Sequence, residues 1–223
     1  MFQLEKAMKA HQSKGSASGR VQRTADKRAA VLEAAAKVFL DGGYLGTSMD
    51  DIASLAGVAK QTLYSYFSNK EALFSAMVSA LSNEGSDRVH NNVAEFSDED
   101  DLQTYLVGYA VRQLKVVLTP RILQLRRLVI GEVGRFPELG EALYAGGPGR
   151  AIASLAKTFE ILGKRGLLSL RDPMLAATQF NWLIMSAPLN RTMLLGDAAI
   201  PSSKEILDHA TQGVRMFLAA YTK

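Results

Sequence analysis

Thr47-Ser48-Met49-Asp50-Asp51-Ile52-Ala53-Ser54-Leu55-Ala56-Gly57-Val58-Ala59-Lys60-Gln61-Thr62-Leu63-Tyr64-Ser65-Tyr66-Phe67-Ser68-Asn69-Lys70-Glu71-Ala72-Leu73 reads as two short helices joined at Gly57, followed at once by the start of a third. Ser48-x-x-Asp51 matches a capping box, and Asp50 and Asp51 stand where the helix dipole favours negative charge. Ile52, Leu55 and Ala56 share an inward face, Gly57 permits the tight turn, and Val58 fills the corner. On the next helix, 59–67, Leu63 and Phe67 lie one turn apart and form an apolar underside. Gln61 and Ser65 point the opposite way, flanked by Thr62 and Tyr64. That is the build of a helix whose outer side lies in the major groove of DNA. Gln can pair with adenine, Lys can reach guanine, and a Thr methyl can touch that of thymine, so Lys60, Gln61, Thr62 and Ser65 are the base-reading candidates. Tyr64 and Tyr66 carry hydroxyls on rigid arms suited to phosphate oxygens. Lys70 adds a cation in the first turn of the following helix, where free N–H groups favour anions, and Thr47 and Ser48 hold the same place on the earlier one.

Outward from this stretch the pattern stays helical. Val31, Leu32, Ala35, Val38 and Phe39 mark one apolar face of a helix over 25–40, stopped by Asp41-Gly42-Gly43-Tyr44. A helix capped at Ser68 or Asn69, with Ser68-x-x-Glu71 as a second capping box, runs to about residue 90. Further helices are expected over 98–118, 121–135, 138–144, 149–164, 172–195 and 203–221. Breaks are expected at Thr119-Pro120, Phe136-Pro137, Ala145-Gly146-Gly147-Pro148-Gly149, Gly166 and 196–201. No stretch alternates as a strand would, so the fold class is all-α: an N-terminal three-helix helix-turn-helix domain, 23–70, and a C-terminal helical domain, 71–223. Residues 1–22 mix Lys, Gln, Ser and Gly without an apolar period and read as a disordered basic arm. Residues 1–28 hold seven basic and two acidic residues, so the net charge of +4 is carried by the N-terminus and the remainder sums to −1. A polyanion partner near that end is the natural reading.

Gly43-Tyr44, Thr47, Asp51-Ile52-Ala53, Ala56-Gly57-Val58, Thr62-Leu63-Tyr64-x-Tyr66-Phe67 and Lys70-Glu71-x-Leu73 together resemble the DNA-binding domain of TetR/AcrR-type transcriptional regulators. The resemblance covers residues 25–80; beyond them only the helical plan is similar. It implies a homodimer, usually repressing transcription from a pseudo-palindromic operator on double-stranded DNA, with a small ligand in the C-terminal domain releasing the DNA. By position it puts DNA contacts on Lys60, Gln61, Thr62, Tyr64 and Tyr66, and a phosphate-binding lysine on Lys70. One departure matters: the family often has Ser-x-Gly or Ser-x-Pro before Thr-Leu-Tyr, where this chain has Ala59-Lys60-Gln61. Gln61 adds a long side chain at the groove, so no operator sequence carries over from relatives.

Other chemistry finds little support. Cysteine is absent, which excludes disulfides and thiolate-bound zinc and fits a cytoplasmic location. No secretory h-region and no apolar run of membrane-spanning length is seen. His11, His90 and His209 are scattered without partners at helical spacing, so no metal site is expected. Gly146-Gly147-Pro148-Gly149-Arg150 and Gly163-Lys164-Arg165-Gly166 lack phosphate-loop spacing, and 97–101 is an acidic helix start. No nucleophile, carboxylate pair or cofactor motif appears, so neither an enzyme nor a cofactor is expected.

The last two helices look like a dimer interface. Leu207, Ala210, Val214, Phe217 and Tyr221 recur at spacings of three and four, a coiled-coil-like seam beside Gly213, which would let a partner backbone approach. The 172–195 helix is apolar on more than one side, with Leu175, Phe180, Trp182, Leu183, Ile184 and Met185, so it should be covered on both. These two helices are expected to pair with their copies, Leu183 included, in a four-helix interface. Phe159, Trp182 and Met185 are candidate apolar lining for a ligand pocket; no buried charge is legible, so the sequence identifies no effector. Two other readings remain open: a ligand-independent adaptor or nucleoid-associated dimer, and activation in place of repression.

Overall fold

A computed structural model of the chain describes residues 22, 24–90, 96 and 101–222. Among them helix is the regular structure and no strand forms. The expected basic arm lies outside the described residues except for Gln22, as do His11 and residues 97–100 of the acidic run. The chain divides into two compact units, Met1–Met77 and Val78–Lys223.

In the first unit, α1 (residues 24–42) buries Val31, Ala35 and Phe39. It ends at Gly43, whose φ of 70° is the left-handed conformation that a side chain would strain. Helices α2 (Met49–Leu55) and α3 (Lys60–Tyr66) follow, with Gly57 at φ 65° turning the chain between them. Val58 N–H donates to the Ala53 carbonyl across the corner, at 3.1 Å. α4 (Lys70–His90) contributes its first turns, where Leu73, Phe74 and Met77 are enclosed. Phe74 lies 4.7 Å from the Phe39 ring and 5.0 Å from Tyr44, closing an aromatic cluster. These contacts explain why the unit extends to Met77, seven residues past the expected boundary at 70. The α4 cap is Asn69, whose Oδ1 accepts from Ala72 N–H at 2.8 Å. The Glu71 carboxylate accepts from the Tyr44 hydroxyl, tying α4 to the end of α1.

In the second unit, α5 (Leu102–Val117), α6 (Pro120–Glu132), α7 (Pro137–Tyr144), α8 (Arg150–Lys164), α9 (Pro173–Leu195) and α10 (Ser203–Tyr221) enclose a separate core. Pro120, Pro137 and Pro173 are first residues of their helices, where proline's missing N–H costs nothing. Asp101 caps α5; its hydrogen bonds from Thr104 hold the carboxyl below the usual carboxylate range. Ser202 and Glu205 form a full capping box on α10. The expected break at Ala145–Gly149 is instead a π-helical turn running from α7 into α8. Small residues make it possible: a Cβ on Gly146 would fall 2.8 Å from Ser82 Cβ. α9 packs on α8, and α10 packs on both α5 and α9.

The seam expected at a dimer interface is mostly buried within one chain. Ala210 and Val214 are fully enclosed, Phe217 nearly so, and Gly213 is buried too. Their periodicity marks an apolar face correctly, but α5 and α9 of the same chain cover it. The close approach at Gly213 is made by Ile184, whose Cδ1 would sit 2.6 Å from an added Cβ. Leu183 packs partly against this core, and Tyr221 is half-buried with its hydroxyl donating to Gln179 Oε1. Of the expected seam only Leu207 is well exposed; Met216 on α10 and Leu175 and Trp182 on α9 are exposed apolar residues as well.

Candidate nucleic-acid interface and ligand cavity

α3 has seven residues and a single buried one, Leu63. With Phe67 just past its end, Leu63 anchors the underside, and Arg28 of α1 lies 5.2 Å over the Phe67 ring. So short a helix is not stable alone; it holds its shape by docking. Gln61, Tyr64 and Ser65 are exposed on the side away from Leu63, while Thr62 and Tyr66 are half-buried. Ser65 donates its hydroxyl to the Thr62 carbonyl at 2.7 Å, which leaves its oxygen lone pairs for a donor outside the protein.

Lys60 is exposed but not unpaired. Its ammonium sits 2.7 Å from Asp50 Oδ1, and that hydrogen bond and charge raise its pKa above the ordinary lysine value. Any contact from Lys60 to a base or phosphate therefore competes with Asp50. Both side chains are in water, so the pair adds little to stability.

Two expected phosphate contacts have other work. Thr47 is only 4% exposed, and its hydroxyl donates to the Gly43 carbonyl at 2.8 Å, clamping the end of α1. It is withdrawn from the contact set. Ser48 is exposed, but its oxygen accepts from Asp51 N–H and its proton goes to the Asp51 carboxylate at 2.6 Å. It caps α2, with acidic side chains beside it where a phosphate would have to approach. Lys70 is half-buried, its ammonium 4.4 Å above the Tyr44 ring. The ring positions the charge without neutralising it. Replacing Lys70 with Ala should weaken DNA binding for all sequences alike and lower the salt slope by about one. Titration at several salt concentrations checks this; an unchanged slope removes Lys70 from the phosphate contacts.

The second unit contains a cavity of about 640 Å³ between atoms, part of it open to solvent. Trp182 and Met185 line it together with Val116, Ile122, Leu125 and Leu189. Phe159 does not. It is fully enclosed in an aromatic cluster, 5.1 Å from Phe217 and 5.7 Å from Phe180. An aromatic residue at helical spacing is more often plain core, and Phe159 follows that tendency. Sequence reasoning missed Gln113, Arg126 and Asn181, which line the same cavity. They sit on three separate helices, and only the polar interruption of apolar α9 by Asn181 was a usable signal. Among the described residues no group of acidic and histidine side chains could hold a metal, and no helix is long and apolar enough to cross a membrane.

Two family models match the chain, one in each unit. Residues 31–77 match the family model described as bacterial regulatory proteins, tetR family. Residues 104–223 match the C-terminal domain of AefR-like transcriptional repressors. The fold is similar to the crystal structure of a putative TetR-family transcriptional regulator from Mesorhizobium loti MAFF303099. That comparison has 36% identity and a TM-score of 0.85, covering 90% of this chain and 99% of that one. It is also similar to a protein titled Flavonoid-responsive Regulator FrrA, at 32% identity and a TM-score of 0.73, covering 89% of this chain and 98% of that one. The HTH-type transcriptional regulator TtgR of Pseudomonas putida is 31% identical over 108 residues, 48% of this chain and 49% of that protein. The curated relatives are thus matched over about half their length or less.

Proposed function

This chain belongs to the TetR family of transcriptional regulators, and we propose that it is a cytoplasmic homodimeric repressor that leaves a pseudo-palindromic operator when a small ligand enters the cavity. The observation that carries the reading is the polar outer side of α3, with Gln61, Tyr64 and Ser65 in solvent above an anchored Leu63. Lys60, Gln61, Thr62 and Ser65 read base edges, while Tyr64, Tyr66 and Lys70 hold phosphates. Dimerisation uses the outward faces of α9 and α10, where Leu175, Trp182, Leu207 and Met216 leave apolar surface uncovered. Two copies of α3 can then meet successive major grooves, about 34 Å apart. A ligand need only favour a dimer shape with a different spacing. The name of the flavonoid-responsive relative favours an organic effector of modest size.

Footprinting on genomic fragments, including the region beside the protein's own gene, tests this. Two protected half-sites one helical turn or a multiple apart are expected, and a single unpaired footprint would overturn the dimer. Gln61→Ala should lose discrimination at particular base pairs, each good bidentate contact being worth ~1–3 kcal/mol. Equal loss for every sequence would instead give Gln61 a non-reading role. Salt-dependent binding with no preferred operator would favour a nucleoid-type adaptor.

A further inference from the structure

Gln113 on α5 and Asn181 on α9 are 3% and 2% exposed, and both line the cavity of the second unit. Gln113 Nε2 donates to Asn181 Oδ1 at 2.7 Å, which leaves Gln113 Oε1 and Asn181 Nδ2 buried without a partner. Turning both amides over exchanges the two roles but still leaves one donor and one acceptor unanswered. Buried polar groups are nearly always paired, so this pair presents one acceptor and one donor to a ligand. A hydroxyl is the smallest group that both accepts and donates.

Arg126 on α6 lines the same cavity and is half-buried. No carboxylate stands among the described lining residues. Burial pulls its pKa below the usual arginine value, yet a guanidinium stays protonated at neutral pH. A desolvated cation on a mostly apolar wall is costly unless an anion joins it. We infer that the cavity takes a small, mostly apolar organic anion, a carboxylate or ionised phenol, that also carries a hydroxyl. The anion meets Arg126 and the hydroxyl meets the Gln113–Asn181 pair. This deepens the effector reading above and rests on it for its biological role.

The test uses the full chain and three probes: para-hydroxyphenylpropionate, its methyl ester, and phenylpropionate. Trp182, the only tryptophan in the chain, lines the cavity and reports occupancy by its fluorescence. The hydroxylated acid should quench saturably, with the ester and the des-hydroxy acid each about tenfold or more weaker. Arg126→Gln should erase the preference for acid over ester, and Gln113→Leu with Asn181→Leu the preference for the hydroxyl. Equal affinity for all three probes, or no saturable quenching by any, overturns the inference. That comparison needs no variant, so a misfolded mutant cannot obscure it. Mobility shifts run beside it separate the two readings. Quenching that leaves DNA bound defeats ligand release alone, whereas release without preference for the anion defeats the inference alone.

Discussion

Leu63→Ala should destabilise the DNA-binding unit by about 2–5 kcal/mol, the usual cost of emptying a fully enclosed leucine site. Leu63 is the one buried residue of α3, so no neighbour on that helix can take over its anchoring. Units of this size bury a smaller fraction of their surface than larger domains do and have little stability to spare. Affinity should therefore fall for operator and random DNA alike, unlike the base-specific loss expected of Gln61→Ala. Denaturant unfolding followed by DNA titration below the transition separates the two. Operator binding at unchanged affinity, with an unchanged unfolding midpoint, would mean α3 is held by something other than Leu63.

The second large effect is expected at Phe180. Its ring is fully enclosed, 5.0 Å from Phe217 and 5.7 Å from Phe159, both edge-on, with Tyr109 at 6.2 Å. Phe180→Ala removes the centre of that cluster and should cost about 3–5 kcal/mol. Because α9 carries Phe180 in its core and Trp182 and Met185 on the cavity, ligand affinity should drop along with stability. Thermal unfolding with and without ligand checks both. A loss below about 1 kcal/mol would mean the neighbouring rings close over the gap.

These residues also show what could be read in advance. The interior of the DNA-binding unit was legible because it is local: Leu63 and Phe67 lie one turn apart, and Gly57 falls where the chain must turn left-handed. Helix periodicity likewise found the apolar face of α10. It could not say whether that face meets another copy or the chain's own α5 and α9, because a seam and a core stripe share one spacing. Proline was legible as punctuation: the breaks expected at Pro120 and Pro137 fall where α6 and α7 open. Thr47 was misjudged, and the pairing of Lys60 went unseen, for a different reason. Their partners, the Gly43 carbonyl and the Asp50 carboxylate, lie on preceding elements, and no helical wheel relates them. The cavity's polar groups come from positions 113, 126 and 181, which only the fold assembles.

The pairing of Lys60 with Asp50 leaves α3 electrically almost blank, since Lys60 is its only charged residue. Such a surface draws little from the long-range pull that brings any cation to any duplex. Attraction at a distance falls to Lys70 and the other basic residues, and α3 is left to judge fit at close quarters. A helix arranged this way should add little to the hold on random DNA, which leaves selectivity to the fit of its neutral side chains.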